Sequence, residues 1–173
     1  MTSIQVRVEP APCLAQAHSD WDSEGHSLSC RVVYPPRAPE PPSLAGILDL
    51  RFGLTPQPLY IVSGTFTLTL DATRRFESID GYDNPLRWQQ SLLEPVDGAA
   101  AVAYLDAAFD SSGHFTEPQT PVAHYDRTAA RLRLIWAPAS RWHRISREFA
   151  LGVDELGWLT QIDLQDLRVP ALG

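Results

Sequence analysis

The sequence predicts a mainly β protein on three grounds: short segments that alternate apolar and polar residues, Asp-led turns between them, and only one segment with helical spacing. Alternation places apolar side chains on one face of a strand and polar side chains on the other. We therefore expect an antiparallel meander of half-buried strands, arranged as a sheet, a sandwich or a barrel.

Five segments carry the alternation most clearly, and we predict a strand at each. They are Ile4-Val6-Val8, Leu28-Cys30-Val32, Leu48-Leu50-Phe52, Phe66-Leu68-Leu70 and Leu132-Leu134-Trp136. Turn sequences lie between such segments: Asp-Ser-Glu-Gly at 22–25, Asp-Ser-Ser-Gly at 110–113 and Asp-Glu-Leu-Gly at 154–157. Asp favours turns because its side chain accepts hydrogen bonds from nearby backbone amides, and Gly permits the left-handed backbone that closes them.

Two segments that lie 83 positions apart resemble each other. Residues 66–83 are FTLTLDATRRFESIDGYD and residues 149–166 are FALGVDELGWLTQIDLQD. Each has an alternating strand, an Asp-led turn and a second short strand that ends in Asp, which is the pattern of a β-hairpin. The sequence therefore predicts two related hairpin units. The Asp residues of the repeat are interpreted as turn or strand-end residues that bind nearby amides: Asp71, Asp80, Asp83, Asp154, Asp163 and Asp166.

Helical spacing is confined to residues 85–93, which begin with Pro85 and continue with Leu86 and Leu93 on one face. The Pro-rich segment 35–42, PPRAPEPP, is expected to be extended. It could join an N-terminal hairpin of residues 1–34 to the remainder. Because 34 residues are too few for an independent core, we favour a single domain over residues 1–173.

Composition restricts the class of protein. The 14 cationic residues are all arginine, which together with many Ala and Pro residues is typical of a GC-rich bacterial genome. No stretch approaches 18 uninterrupted apolar residues, so we expect no membrane span. The first ten residues lack the apolar core of a signal peptide, which favours a cytoplasmic location. Cys13 and Cys30 are then expected to be reduced, with a disulfide as the alternative.

Residues 125–134, YDRTAARLRL, followed by residues 154–164, DELGWLTQIDL, carry a resemblance to a known family. The pattern is Tyr-Asp, a short turn, an alternating strand, then Asp-x-x-Gly and a closing strand. Within residues 125–166 the chain is similar to a family of small bacterial proteins of unknown function. The resemblance implies a small β-rich fold and implies no activity.

Arginine is concentrated in residues 127–147, a segment without any acidic residue in a chain of net charge −7. An acidic protein with one basic segment is not expected to bind nucleic acid in general.

The segment RLRLIWAPASRWHRISR is predicted to form two strands that join near Pro138 as a hairpin. Its candidate binding residues are Arg131, Arg133, Trp142 and Arg144. Arginine binds carboxylates and phosphates through paired donors and stacks on tryptophan, so an acidic protein or anionic ligand is the expected partner. The alternative is that these arginines pair with the protein's own acids.

Residues 18–26 form the densest polar cluster in the sequence. Five of them could bind a metal ion if the segment folds around a cation. These candidates are His18, Asp20, Asp22, Glu24 and His26. Arg31 stands where a calcium loop would need its closing Glu, so a solvated acidic turn is the favoured interpretation. No glycine-rich phosphate loop or dinucleotide fingerprint is present, and we expect no cofactor.

Two functions follow from these observations. The first is a non-catalytic binding protein that uses the Arg/Trp hairpin. The alternative is a small hydrolase-like or metal-dependent enzyme with His and Asp residues in the mouth of a β-barrel.

Overall fold

The computed structural model describes residues 2–36, 44–53 and 56–170, and these residues form fourteen strands and one α-helix. The helix α1 is Leu44–Phe52. The strands are β1 (Gln5–Pro10), β2 (Gln16–Asp22), β3 (Ser27–Val33), β4 (Leu59–Ser63), β5 (Phe66–Leu70), β6 (Phe76–Tyr82), β7 (Gln89–Gln90), β8 (Ala99–Asp106), β9 (His114–Glu117), β10 (Val122–Asp126), β11 (Arg131–Ile135), β12 (Arg141–Arg144), β13 (Phe149–Val153) and β14 (Leu159–Leu164). The prediction of a mainly β fold is confirmed.

The strands form two sheets. One has eight strands in the order β1-β8-β12-β13-β14-β11-β10-β7, and the other has six in the order β2-β3-β6-β5-β4-β9. In each sheet a hairpin, β5–β6 or β13–β14, lies between two strands that come before it in the chain. This arrangement resembles a Greek key. The strand order therefore differs from the predicted meander. Most strand pairs are antiparallel, as expected, but both sheets also contain parallel pairs, such as β4 with β9 and β12 with β8.

Neither sheet closes on itself in the part of the chain that the structure describes, so the barrel alternative does not apply. The two sheets enclose one hydrophobic cluster to which both contribute. Phe76 of the six-stranded sheet and Phe149 of the eight-stranded sheet stack there, with ring centroids 4.5 Å apart. On β5, Phe66, Leu68 and Leu70 are buried while the intervening threonines are half-buried, as the alternation predicts.

The hairpins β5–β6 and β13–β14 close with the same turn. Asp71 Oδ1 accepts hydrogen bonds from the amides of Thr73 and Arg75, at 2.8 and 3.0 Å. Asp154 Oδ1 accepts from the amides of the equivalent residues 156 and 158, each at 2.9 Å. The fourth turn residue has a positive φ in both, +70° at Arg74 and +87° at Gly157. The predicted turns at 22–25, 110–113 and 154–157 are likewise present.

The predicted helix at 85–93 is wrong. Only Pro85–Arg87 is helical, as one 3-10 turn, and the chain then enters β7. Asn84 caps the turn by accepting from the Leu86 amide at 3.0 Å. Trp88 ends it because its backbone is extended and its indole turns back to donate to Asp83 at 2.9 Å.

The strand predicted from Leu48, Leu50 and Phe52 is also wrong, because this segment belongs to α1. Two of its apolar residues, Leu48 and Phe52, are spaced by four, which suits one helix face as well as it suits a strand. Among the described residues, no helix has the length and apolar character needed to cross a membrane.

The predicted N-terminal hairpin of residues 1–34 is divided between the sheets. β1 joins the eight-stranded sheet beside β8, whereas β2 and β3 pair with each other in the six-stranded sheet. Most of the Pro-rich segment 35–42 lies outside the described residues, which resume at Leu44.

Gly157 offers a test of the turn geometry. A Cβ added there would lie 3.6 Å from the nearest heavy atom, the Val6 carbonyl oxygen, so space is not the constraint. The positive φ is. We expect Gly157→Ala to lower the free energy of unfolding by about 1 kcal/mol in urea titrations, and Gly157→Asn to cost less, because Asn tolerates the left-handed region. An Ala variant as stable as the wild type would contradict this account.

Candidate functional site

The four candidate binding residues lie on two strands that are not neighbours. Arg131 and Arg133 are on β11, and Trp142 and Arg144 are on β12, with β14 and β13 between them. The prediction that these two strands pair as a hairpin is therefore wrong. The two strands themselves are present, on either side of residues 136–140. Arg133 pairs with Asp163 of β14, and Arg144 pairs with Ala150 of β13.

Arg131 and Arg133 are occupied by an acid of the protein itself. Asp163 is fully buried, and its Oδ1 accepts from Arg133 Nε at 2.9 Å and lies 2.8 Å from Arg133 Nη2. Arg131 Nε lies 3.5 Å from Oδ2 of the same carboxylate. Gln165 donates to Oδ2 at 3.3 Å. For Arg131 and Arg133, the structure thus shows the alternative stated above, in which the arginines pair with the protein's own acids.

Burial raises the pKa of the Asp163 carboxyl, and the guanidinium groups of Arg133 and Arg131 act against that shift. A carboxylate with no contact to water needs compensating cations and donors, and the two arginines supply both. Asp163 lies one residue from the end of β14, whose six residues are all buried. The predicted position near a strand end is thus present, but the predicted amide partners are wrong, because the carboxylate binds the side chains of Arg133 and Gln165.

The same two arginines also bind the backbone of residues 91–98, which we call the cover segment. Arg131 Nη1 donates to the Leu93 carbonyl at 3.1 Å, and Arg133 Nη2 donates to the Glu94 carbonyl at 2.8 Å. Asp126 Oδ2 accepts from the Leu93 amide at 2.9 Å. A Cβ on Gly98 would lie 2.6 Å from the Trp142 carbonyl oxygen, so glycine permits the close approach at the end of the segment. The cover segment is therefore fastened to the face of the eight-stranded sheet that points away from the core.

Trp142 lies on this same outer face and is half-buried. The Arg133 guanidinium carbon is 5.1 Å from the centre of the indole, a distance suited to cation–π attraction. A Cβ on Gly152 would lie 3.1 Å from the Trp142 ring, so the missing side chain makes room for the indole. Arg133 thus holds both Asp163 and Trp142.

Arg144 differs from the two arginines on β11. Its Nη2 makes one long hydrogen bond, 3.4 Å, to the carbonyl of Arg147, and its Nε has no partner among the described residues. Arg147 is exposed. Within the described ranges no carboxylate oxygen lies within 4 Å of the guanidinium group of either residue.

The metal candidates do not converge. His18, Asp20 and Asp22 alternate along β2, while Glu24 and His26 lie in the turn that follows. Asp22 caps this turn by accepting from the amides of Glu24 and Gly25, at 2.9 and 3.2 Å. Throughout residues 2–36, 44–53 and 56–170, no three His, Cys, Asp or Glu side chains are grouped to hold a metal ion.

The remaining histidines are separated from one another and have local contacts. His114 stacks on Tyr60 with centroids 4.9 Å apart, and His124 Nδ1 lies 2.9 Å from Ser91 Oγ. On β12, burial and then the charge of Arg141 lower the pKa of His143, which favours its neutral form. With the sheets open, the described strands form no barrel mouth in which these rings could meet.

Sequence reasoning did not anticipate Asp163 as the partner of Arg131 and Arg133. The acid lies about 30 positions further along the chain, and the register of β11 with β14 brings them together. One signal was available: Asp163 stands between Ile162 and Leu164 at the end of a predicted strand, and an acid that is buried there needs a cation. The carbonyl acceptors in the cover segment have no sequence signal, because every residue carries one.

No protein-family model and no curated protein matches this chain.

The ionisation of Asp126 makes the stability of the folded protein depend on pH. Asp126 Oδ1 accepts from the Thr128 hydroxyl at 2.6 Å and from the amides of Thr128 and Ala129, and these bonds with that of Leu93 lower its pKa to about 2. A lowered folded-state pKa stabilises the protein above the unfolded-state pKa, and the contribution is lost as pH falls through the folded value. In urea titrations at about pH 5, we expect the wild type to have a larger free energy of unfolding than Asp126→Asn. This difference should shrink as the pH falls from about 5 to about 2. A difference that stays constant over this range would contradict the assignment.

Proposed function

We propose that this protein is a non-catalytic binding protein that recognises an anionic partner through Trp142, Arg144 and Arg147. We call these three residues the Arg–Trp surface. The observation that carries the proposal is the state of Arg144: its guanidinium group has one long hydrogen bond to a carbonyl and no carboxylate among the described residues. It shares a strand face with a tryptophan, and Arg and Trp are enriched at binding hot spots.

Within this proposal Arg131 and Arg133 are positioning residues. Asp163 neutralises one of their two charges, their remaining donors bind the Leu93 and Glu94 carbonyls, and both side chains are largely buried, so they offer little to a second anion. They hold the cover segment, and Arg133 stacks against Trp142. A preformed indole costs less entropy on binding than a mobile one. The sequence-predicted set is thereby divided into a scaffold on β11 and a contact surface on β12.

The partner is an acidic protein or another anionic ligand. The chain has a net charge of −7, which repels polyanions at long range, so a general nucleic-acid binder is not favoured. A local contact with a carboxylate or phosphate group remains favourable because repulsion from acids more than about 10 Å away is screened at 0.1 M salt.

We further infer that the chain contains two related units, as the sequence repeat predicts. β2 to β6 are arranged in the order β2-β3-β6-β5-β4, and β10 to β14 in the corresponding order β10-β11-β14-β13-β12. The Asp-led turns of Asp71 and Asp154 have the same hydrogen bonds. The Arg–Trp surface belongs to the second unit only.

Binding to a short immobilised acidic peptide, such as tetraglutamate, at about 0.1 M salt tests the Arg–Trp surface, because repulsion from the more distant acids is then screened. We expect Arg144→Gln/Arg147→Gln to bind about tenfold more weakly than the wild type, because two unpaired cations are removed. The control is Arg31→Gln/Arg87→Gln, which removes two exposed arginines elsewhere and carries the same net charge. We expect it to lose less than about twofold. Equal losses in both variants would contradict the proposal, since net charge alone would then explain the binding.

A further inference from the structure

A cleft of about 280 Å³ lies between the end of β1, the residues that follow β1 and β3, the residue before β6, and β8. Much of its wall is apolar. Pro10, Pro12, Pro36 and Val102 contribute to it, and its polar groups include Tyr34 and Arg75. Concave apolar surfaces with a few polar groups are the usual form of small-molecule sites. This cleft involves none of the residues of the Arg–Trp surface.

Arg75 has donors to spare. Its Nε donates to Asp71 Oδ2 at 3.1 Å, and its guanidinium carbon lies 4.6 Å from the centre of the Tyr34 ring. Its two terminal nitrogens have no hydrogen-bond acceptor among the residues that the structure describes. The Arg75 side chain is 22% exposed, so these nitrogens are held in place without being sealed from a ligand.

The Tyr34 hydroxyl is buried and has no hydrogen-bond partner within the described part of the chain. An unpaired buried hydroxyl costs free energy, so an acceptor at this position would be bound favourably. Burial raises the pKa of Tyr34, and the hydroxyl therefore keeps its proton at neutral pH and can donate it in a hydrogen bond. The Arg75 stack fixes the ring next to the guanidinium group.

Glu9 also lines the cleft, but its carboxylate is already bound. Oε1 accepts from Arg7 Nη1 at 2.8 Å, and Oε2 accepts from the Tyr104 hydroxyl at 3.1 Å. Asp71 partly neutralises Arg75 from the other side. The site therefore suits one negative charge, because a dianion such as phosphate would meet two carboxylates and a single guanidinium group.

We propose that this cleft binds a small monocarboxylate with an apolar body. The carboxylate accepts hydrogen bonds from the terminal nitrogens of Arg75. It displaces the atoms that cover the Tyr34 hydroxyl and accepts a hydrogen bond from it as well, and the apolar body lies against Pro10, Pro12 and Val102. A planar guanidinium group offers the paired donors that a carboxylate accepts.

Cys13 provides the measurement because it lines the same cleft and is an exposed free thiol. The second thiol, Cys30, is buried, and burial raises its pKa to about 11, so it should stay unreactive near neutral pH. The rate of Cys13 alkylation by iodoacetamide, followed by mass spectrometry, then reports occupancy. We expect benzoate to slow this rate in a saturable manner. Benzamide, the neutral analogue, and inorganic phosphate should have little effect.

Tyr34→Phe is the informative variant, because it removes only the unpartnered hydroxyl and should fold as well as the wild type. We expect benzoate to bind it about tenfold more weakly, since a hydrogen bond to a charged group is lost. Arg75→Lys keeps the charge without the paired donors and should also bind more weakly. The proposal is overturned if benzoate gives no protection, if benzamide or phosphate protects equally well, or if Tyr34→Phe binds benzoate as the wild type does.

Discussion

A buried carboxylate between two arginines determines how the eight-stranded sheet is covered. Asp163 lies inside a strand with no access to water, and Arg131 and Arg133 compensate its charge. Their remaining donors bind backbone carbonyls of the cover segment, 91–98. The cover segment is thereby held across the outer face of the sheet at β11. Over β13 and β14, whose residues are all buried, Trp142 lies against Gly152 and the two arginines lie against Asp163. The ion pairs and the cover depend on each other, because an exposed Asp163 would need neither arginine to stay in place.

The six-stranded sheet lacks this arrangement at the matching position. Asp80 pairs with Ser29 and Thr67, where Asp163 pairs with Arg133 and Ala150. Asp80 is exposed, and its hydrogen bonds to other described side chains come from the hydroxyl groups of Ser29 and Ser78. A short polar neighbour leaves the aspartate in water, whereas a long cationic neighbour allows it to be covered. The difference between the two hairpins therefore lies on their outer faces, and the function that we propose is assigned to the covered one.

Local sequence patterns predicted the strands and turns well, because alternation and Asp-led turns act within a few residues. Phe66–Leu70 and the turns at Asp71 and Asp154 are examples. Strand order was not predictable in this way: one partner of β11 is β14, the third strand after it in the chain. Because strand order could not be predicted, the partners of the candidate binding residues could not be predicted either. Arg133 and Arg144 have the same residue type and similar surroundings in the sequence. Yet Arg133 binds a buried acid, whereas the one hydrogen bond of the Arg144 guanidinium group within the described ranges goes to a carbonyl. Short apolar segments were ambiguous too, as α1 illustrates, because Leu48 and Phe52 suit a helix face equally well.

Hydrogen exchange in the cover segment tests the role of Asp163 most directly. In Asp163→Asn the arginines lose their counter-charge while the side-chain size is kept, so their hold on the Leu93 and Glu94 carbonyls should weaken. The account predicts faster amide exchange across residues 91–98, compared with both the wild type and an Asp80→Asn control, while the hairpin β5–β6 keeps its protection. Exchange in residues 91–98 that matches the wild type would contradict the claim that Asp163 fastens the cover segment.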